Sequence, residues 1–74
     1  MRVVEISREP VELYKILKFE GMVATGGEAK QVIAEGQVRV NGEVETRKRK
    51  KIVTGDTIEF AQDMIRIKLT KAGN

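Results

Sequence analysis

The most distinctive chemical feature of the sequence is a run of five consecutive basic side chains, which we call the basic run: Arg47, Lys48, Arg49, Lys50 and Lys51. Guanidinium groups fork onto phosphate oxygens and ammonium groups act as mobile point charges, so such a run is typical of a contact with a nucleic-acid backbone. The alternative is a solvated connector whose charge keeps the edge of a sheet from pairing with other chains.

The positive charge of the chain is concentrated around the basic run. The sequence has 14 basic and 11 acidic side chains, a net charge of +3. Residues 1–36 contain five basic and six acidic groups (−1), residues 37–52 contain six and two (+4), and residues 53–74 contain three of each (0). Because surface charges are usually mixed in sign, this concentration favours a polyanionic partner.

The composition argues against several other functions. The chain has no cysteine and no histidine, and therefore no disulfides, thiolate nucleophiles or usual zinc and copper ligands. Its acidic residues are spread out, without a pair placed for acid and base catalysis. We expect a protein that is not an enzyme and has no cofactor, metal or small-molecule substrate.

The length of 74 residues predicts a single domain, residues 1–74, with one thin core. Aromatic residues make up only 4% of the chain, so aliphatic side chains are expected to fill the interior. No stretch approaches the ~20 apolar residues that span a membrane, and the N-terminus lacks the apolar run of a signal sequence. We expect a cytoplasmic monomer with no membrane contact.

Two short helices are predicted in the N-terminal half. Pro10 at a first helical position opens a helix over residues 10–20. Thr25 and Glu28 have capping-box spacing, in which Thr25 accepts from the N–H of Glu28 and Glu28 reaches back to the N–H of Thr25. A second helix begins there and ends at Gly36. The side chains expected on the buried faces are Leu13, Ile16, Leu17, Phe19 or Tyr14, Ala29, Val32 and Ile33.

The pair Asn41-Gly42 is the strongest short hairpin signal in the chain, and it follows an alternating segment. A two-residue turn would pair Val40 with Glu43. Val44 would then lie on the face of Arg39, so a buried Val44 requires a bulge or a longer loop. The sequence leaves this register open.

Further strands are expected over residues 3–6, 57–60 and 64–69, where apolar and polar residues alternate. Turns are expected at residues 54–56 and 62–63, and residues 70–74 are expected to form a loose tail. Two short N-terminal helices packed on a small, mostly antiparallel sheet define an α+β fold.

A known pattern is formed by Gly21, Ala29, Ile33, the segment Gly36-Gln37-Val38-Arg39-Val40-Asn41-Gly42, and then Ile52, Gly55-Asp56 and Ile58. Over about residues 10–60 the chain resembles the S-four RNA-binding domain, and it is most similar to the small stand-alone bacterial proteins of the YbcJ-like group. The resemblance implies a non-catalytic, ribosome-associated protein. It would bind structured ribosomal or transfer RNA through its two helices and the adjoining hairpin, the αL motif.

The helix starts differ from the family pattern. Typical members begin the first helix with Arg-Leu-Asp, where this chain has Glu12-Leu13-Tyr14, and often begin the second with Ser-Arg, where it has Thr25-Gly26. Two basic contacts are therefore absent. Free backbone N–H groups at Gly26 and Gly27, on the positive end of the helix dipole, can replace one of them, and the basic run offers a substitute source of phosphate affinity.

The predicted RNA contacts are Gly26, Gly27, Lys30, Arg39, Arg47, Lys48, Arg49, Lys50 and Lys51. Lys30 lies one turn into the second helix, and Arg39 points away from the core side of its strand. Lys15 and Lys18 alternate with acidic residues and are interpreted as solvated. Stacking on unpaired bases needs exposed aromatic side chains, and the two phenylalanines are interpreted as core. This favours recognition of RNA shape and backbone over reading of a base sequence.

Two rival partners fit the same charge pattern. An acidic protein would dock on the basic window, and duplex DNA would offer the same phosphates as RNA. A partner protein that still co-purifies with the chain after ribonuclease treatment would favour the acidic protein. Competition between matched RNA and DNA duplexes would distinguish RNA from DNA.

Overall fold

The computed structural model describes residues 1–70. Its elements are β1 (Arg2–Ile6), β2 (Val11–Glu12), α1 (Leu13–Phe19), α2 (Gly26–Ala34), β3 (Val38–Val40), β4 (Glu43–Val44), β5 (Lys51–Ile52), β6 (Thr57–Phe60) and β7 (Asp63–Leu69). One sheet has the order β1-β7-β6-β3-β4, and β2 and β5 form a separate pair. All pairings are antiparallel except that of β1 with β7. The α+β prediction is confirmed.

The core lies between the inner face of the five-stranded sheet and the two helices, and it is entirely aliphatic, as the composition predicts. Its buried side chains are Val4, Leu13, Ile16, Leu17, Val23, Ala29, Ile33, Val38, Val40, Ile52, Ile58, Ile65 and Ile67. Tyr14, Val32 and Phe60 pack partly buried at its margin. Phe19, predicted as a core residue, is 70% exposed, so that prediction is wrong.

Helix α1 begins at Leu13, so the predicted start at Pro10 is wrong. Val11 and Glu12 are extended because they form β2 and pair with β5. This pairing joins segments far apart in the sequence, and local helix signals carry no information about it.

Of the predicted tail, residues 70–74, only Thr70 is described. Its N–H donates to the carbonyl of Ile6 at 2.8 Å, and the rest of the tail lies outside the described residues.

Both helices end at a glycine in the left-handed conformation. Gly36 has φ +77°, its N–H donates to the carbonyl of Ile33, and the N–H of Gln37 donates to that of Val32. This is the Schellman pattern, and Gly21 ends α1 in the same way with φ +70°. The glycine signals therefore predict both C-termini correctly.

The start of α2 follows the predicted capping box with one difference. Thr25 Oγ1 accepts from the N–H of Glu28 at 3.0 Å, as predicted. The Glu28 carboxylate accepts from the N–H of Ala24 at 2.8 Å, one residue before the expected partner.

The turn between β6 and β7 also begins one residue earlier than predicted. Phe60 pairs with Asp63, so the turn is formed by Ala61 and Gln62.

The hairpin after β3 has the simple two-residue turn. Val40 pairs with Glu43 and Arg39 with Val44, whose side chain is exposed, so no bulge is present. Asn41 has φ +53°, the left-handed backbone that this turn needs. The hairpin register left open by the sequence is thus the one set by the Asn41-Gly42 turn alone.

Asn41 also joins the hairpin to the turn before β6. Its amide nitrogen donates to Asp56 Oδ1 at 3.0 Å, and its Oδ1 accepts from the N–H of Thr57 at 2.9 Å. Asp56 Oδ2 in turn accepts from the N–H of Val53 at 3.0 Å. Asn41 and Asp56 are therefore turn formers, as predicted, and their mutual bond explains why the two turn motifs occur together.

Replacing Asn41 with alanine is expected to lower the free energy of unfolding by about 2 kcal/mol. About 1 kcal/mol comes from the lost hydrogen bonds and about 1 kcal/mol from an alanine in the left-handed region. Asn41→Gly removes the same bonds but tolerates the backbone, so it should lose about half as much. Urea unfolding of the two variants measures both effects, and equal losses would contradict the backbone contribution.

Candidate nucleic-acid interface

The backbone of the basic run is held against the start of α1. The N–H of Lys50 donates to the carbonyl of Arg47 at 3.1 Å and closes a turn. The carbonyls of Lys50 and Lys48 accept from the N–H groups of Leu13 and Tyr14 at 2.9 and 3.1 Å. These groups are helix donors that no side chain caps. The run therefore caps the helix with its backbone, which leaves its side chains free to face a partner.

The side chains of the basic run differ in how far their charge is compensated. Arg49, Lys50 and Lys51 line a shallow surface concavity together with Arg47. Arg47 Nε donates to Glu45 Oε2 at 2.9 Å, and this bond holds the pKa of Glu45 below and the pKa of Arg47 above their usual values. Glu45 thus fixes the Arg47 guanidinium in place and offsets its charge.

Tyr14 is the point where both helices and the basic run meet. Lys30 Nζ of α2 lies 4.8 Å from the centroid of its ring, and Lys15 Nζ lies 5.9 Å from it. The first distance is within the range of a cation–π interaction that is worth ~0.5–1 kcal/mol when exposed. The backbone N–H of Tyr14 also donates to the carbonyl of Lys48, so the backbone of the basic run passes beside the start of the same helix. We call this group of residues the tyrosine cluster: Tyr14, Lys15, Lys30 and the basic run.

Gly26 and Gly27 are the first residues of α2, so their N–H groups have no acceptor within the helix. A Cβ at Gly26 would lie 4.0 Å from Lys18 Cδ, which places the stem of Lys18 beside the helix start. The Lys18 side chain and these backbone donors therefore lie in the same region of the surface.

Arg39 is on a different face of the molecule from the tyrosine cluster. Val38 and Val40 on either side of it point into the core with the helices, so its own side chain lies on the open face of the sheet. It is exposed, pairs across the strands with Glu59 and Val44, and donates from Nη1 to the carbonyl of Gly42 at 3.3 Å. The structure does not bring Arg39 together with Lys30.

The exposure of Phe19 differs from the prediction, but it agrees with the position of this residue around the axis of α1. At 100° per residue Phe19 lies about 110° from the centre of the stripe formed by Leu13, Ile16 and Leu17, and only about 40° from Lys15. The apolar side chain of Phe19 favours the prediction of burial, whereas its angular position on the helix predicts exposure. Phe19 and Tyr14 both line a groove along α1.

Two features that would indicate other functions are absent from the described part of the chain. Residues 1–70 contain no group of three or more acidic, histidine or cysteine side chains arranged to hold a metal ion. Over the same residues, no helix has the length and apolar character needed to cross a membrane.

The fold, with two helices beside a mostly antiparallel sheet and a basic surface at their junction, defines a class of small domain. The sequence profile of the S4 (S-four) domain matches residues 4–68, and the chain belongs to this family.

Two curated relatives match most of the chain. The Escherichia coli (strain K12) protein named "Putative RNA-binding protein YbcJ" is 54% identical over 57 residues, which cover 77% of this chain and 81% of that protein. The Bacillus subtilis (strain 168) protein named "Probable ribosome maturation protein RlbA" is 34% identical over 57 residues, covering 77% and 80%.

A solved structure has the same fold. The solution structure of YbcJ from E. coli, described as revealing an αL motif involved in RNA-binding, matches with a TM-score of 0.69 and 48% sequence identity. The match covers 89% of this chain and 85% of that one.

Proposed function

We propose that this protein binds structured RNA, either ribosomal or transfer RNA, without catalysing a reaction. It acts in the cytoplasm as a monomer and associates with the ribosome. The relatives' names, which refer to RNA binding and ribosome maturation, support the proposal. The observation that carries it is the convergence of Lys30, Lys15 and the basic run around Tyr14.

The RNA is held through its phosphates. Arg49, Lys50 and Lys51 form no ion pair within residues 1–70 and lie beside the oriented Arg47 guanidinium, and Lys30 adds a further positive charge on α2. The N–H groups of Gly26 and Gly27 add donors at the positive end of the helix dipole. Contacts of this kind position a nucleic acid and carry no sequence information directly. Arg39, on the open face of the sheet, contacts only an RNA that extends around the edge of the domain.

The arrangement of the carboxylates supports a role without catalysis. Glu12, Glu20, Glu45 and Asp63 each form an ion pair with a lysine or arginine, at 2.9 to 3.4 Å. Carboxylates in such pairs are engaged by a basic side chain, whereas a general acid or base needs a group that can reach the reacting proton of a substrate. Their role here is to fix basic side chains and β1.

Titrating the full chain into a labelled ribosomal RNA fragment at several salt concentrations tests the proposal. The logarithm of the binding constant should fall linearly with the logarithm of the salt concentration, with a slope of about −3 to −5 for roughly five phosphate contacts. Absence of binding at low salt would contradict the proposal. Preference for a matched DNA duplex would assign the surface to DNA, and a partner retained after ribonuclease treatment would assign it to an acidic protein.

A further inference from the structure

Phe19 is an aromatic side chain that the fold leaves in solvent. Its exposed fraction is 70%, although a phenylalanine contributes substantially to stability when buried. It is the last residue of α1 and shares the outward face of this helix with Lys15 and Lys18. Lys15 lies about 40° from Phe19 around the helix axis. An exposed aromatic ring with a cationic side chain nearby is an arrangement with which proteins stack on unpaired nucleotide bases.

The ring stands beside a groove of about 660 Å³ between α1 and the segment that follows β1. A volume of ~300–1,000 Å³ is typical of small-ligand sites, so one nucleotide fits. Tyr14 and Lys15 line this groove and also belong to the tyrosine cluster. The groove is therefore continuous with the surface proposed to bind RNA phosphates.

The charges around the groove favour a nucleotide over an apolar peptide. Three carboxylates line the groove. Glu12 pairs with Lys15 at 3.4 Å and Glu20 with Arg2 at 3.1 Å, and the charge of Glu5 is balanced in the lining by that of Arg8. Lys18 forms no ion pair within residues 1–70, and its stem runs beside Gly26. Phe19 and Lys18 both line the groove, so it offers an aromatic ring as a contact for a base and an ammonium as a contact for a phosphate.

We propose that this groove binds a single unpaired nucleotide of the RNA, with its base stacked on Phe19 and its phosphate at Lys18. The inference rests on the proposed RNA binding and adds the substrate class, an RNA helix interrupted by an unpaired base. It replaces the sequence-based interpretation that recognition is limited to shape and backbone, because that interpretation assumed that both phenylalanines are buried.

The test compares two RNA hairpins that differ only in one bulged adenosine. The bulged hairpin should bind more tightly than the paired one, and Phe19→Ala should weaken the bulged complex about 5- to 150-fold while leaving the paired complex unchanged. Because the chain has no tryptophan, Phe19→Trp introduces a unique fluorophore. Its emission should be quenched by the bulged hairpin and much less by the paired one, with affinity retained.

Val44→Ala is a matched control, since Val44 is an exposed apolar side chain on the open face of the sheet and should change neither affinity. Equal binding of the two hairpins by the wild type, or equal losses for both with Phe19→Ala, would overturn the inference and leave the proposed function intact. Failure of both hairpins to bind at low salt would count against the proposed function itself. Self-association of the chain that Phe19→Ala abolishes, with RNA affinity unchanged, would assign the groove to a second copy.

Discussion

Replacing all five residues of the basic run with glutamine is expected to weaken RNA binding about 100- to 1,000-fold near 0.1 M salt. Each phosphate contact contributes roughly a factor of ten under these conditions through counterion release. Glu45 offsets the charge of Arg47, and Lys48 does not line the concavity, so we count three effective contacts, those of Arg49, Lys50 and Lys51. The slope of log K against log salt should become shallower by about 2 to 3.

The stability of this variant should change little, because the run holds α1 with the carbonyls of Lys48 and Lys50 and not with its side chains. Thermal unfolding followed by circular dichroism measures this directly. A large drop in melting temperature would mean that the loss of affinity reports misfolding, and the phosphate interpretation would then lose its support.

Two double variants distinguish a direct contact with RNA phosphates from an effect of the protein's net charge on RNA affinity. Arg49→Gln with Lys50→Gln removes two charges from the basic run, and Arg66→Gln with Lys68→Gln removes two from exposed positions of β7. Only the first pair should reduce the salt slope, by roughly one to two, because long-range attraction of exposed charges is screened beyond about 10 Å at 0.1 M. Equal effects of both pairs would show that the run acts only through net charge.

Ile33→Ala is expected to destabilise the protein by about 2–5 kcal/mol, the largest effect on folding that we predict. Ile33 is fully buried on α2 and packs in the cluster that joins both helices to the sheet. A chain of this length has a total stability of only about 4–11 kcal/mol, so the variant will be partly unfolded at moderate temperature.

Graded variants identify the cause of this loss. Ile33→Val removes one methylene group and should cost about 0.5–1.5 kcal/mol, and Gln31→Ala at a neighbouring exposed position should cost almost nothing. Urea unfolding gives the three values. If the loss did not increase from Ile33→Val to Ile33→Ala, cavity formation would not be its cause.

These two predictions separate binding from folding. The basic-run variant should lose RNA affinity while it stays folded. The Ile33→Ala variant should keep the affinity of its folded fraction, since a buried isoleucine cannot contact RNA. An Ile33→Ala protein that is folded at low temperature but has lost affinity would show that the relative position of the two helices is part of the binding site.

The elements that the sequence predicted well depend on interactions within a few residues. Gly21 and Gly36 end the helices because the left-handed backbone suits glycine, and Thr25 caps α2 with a neighbour three residues away. The alternating strands were predicted from their period, and their inner face supplies much of the buried cluster. The predicted start at Pro10 is wrong because a distant segment, β5, holds Val11 and Glu12 extended. The exposure of Phe19, in contrast, follows from its angular position on the helix, a local property.

By itself the sequence determined the α+β fold, the aliphatic core, the hairpin turn and the concentration of positive charge, because these follow from composition, period and local hydrogen bonding. Only the tertiary structure decided which basic groups act together. The β2–β5 pairing and the bonds from α1 to the carbonyls of Lys48 and Lys50 place the basic run beside Tyr14. The packing of α2 brings Lys30 to the same ring. The alternation along β3 turns Arg39 away from the core, as predicted, but only the packing of the helices on the other face of the sheet separates Arg39 from Lys30. Such placements arise from contacts between segments remote in the chain, which local patterns do not encode.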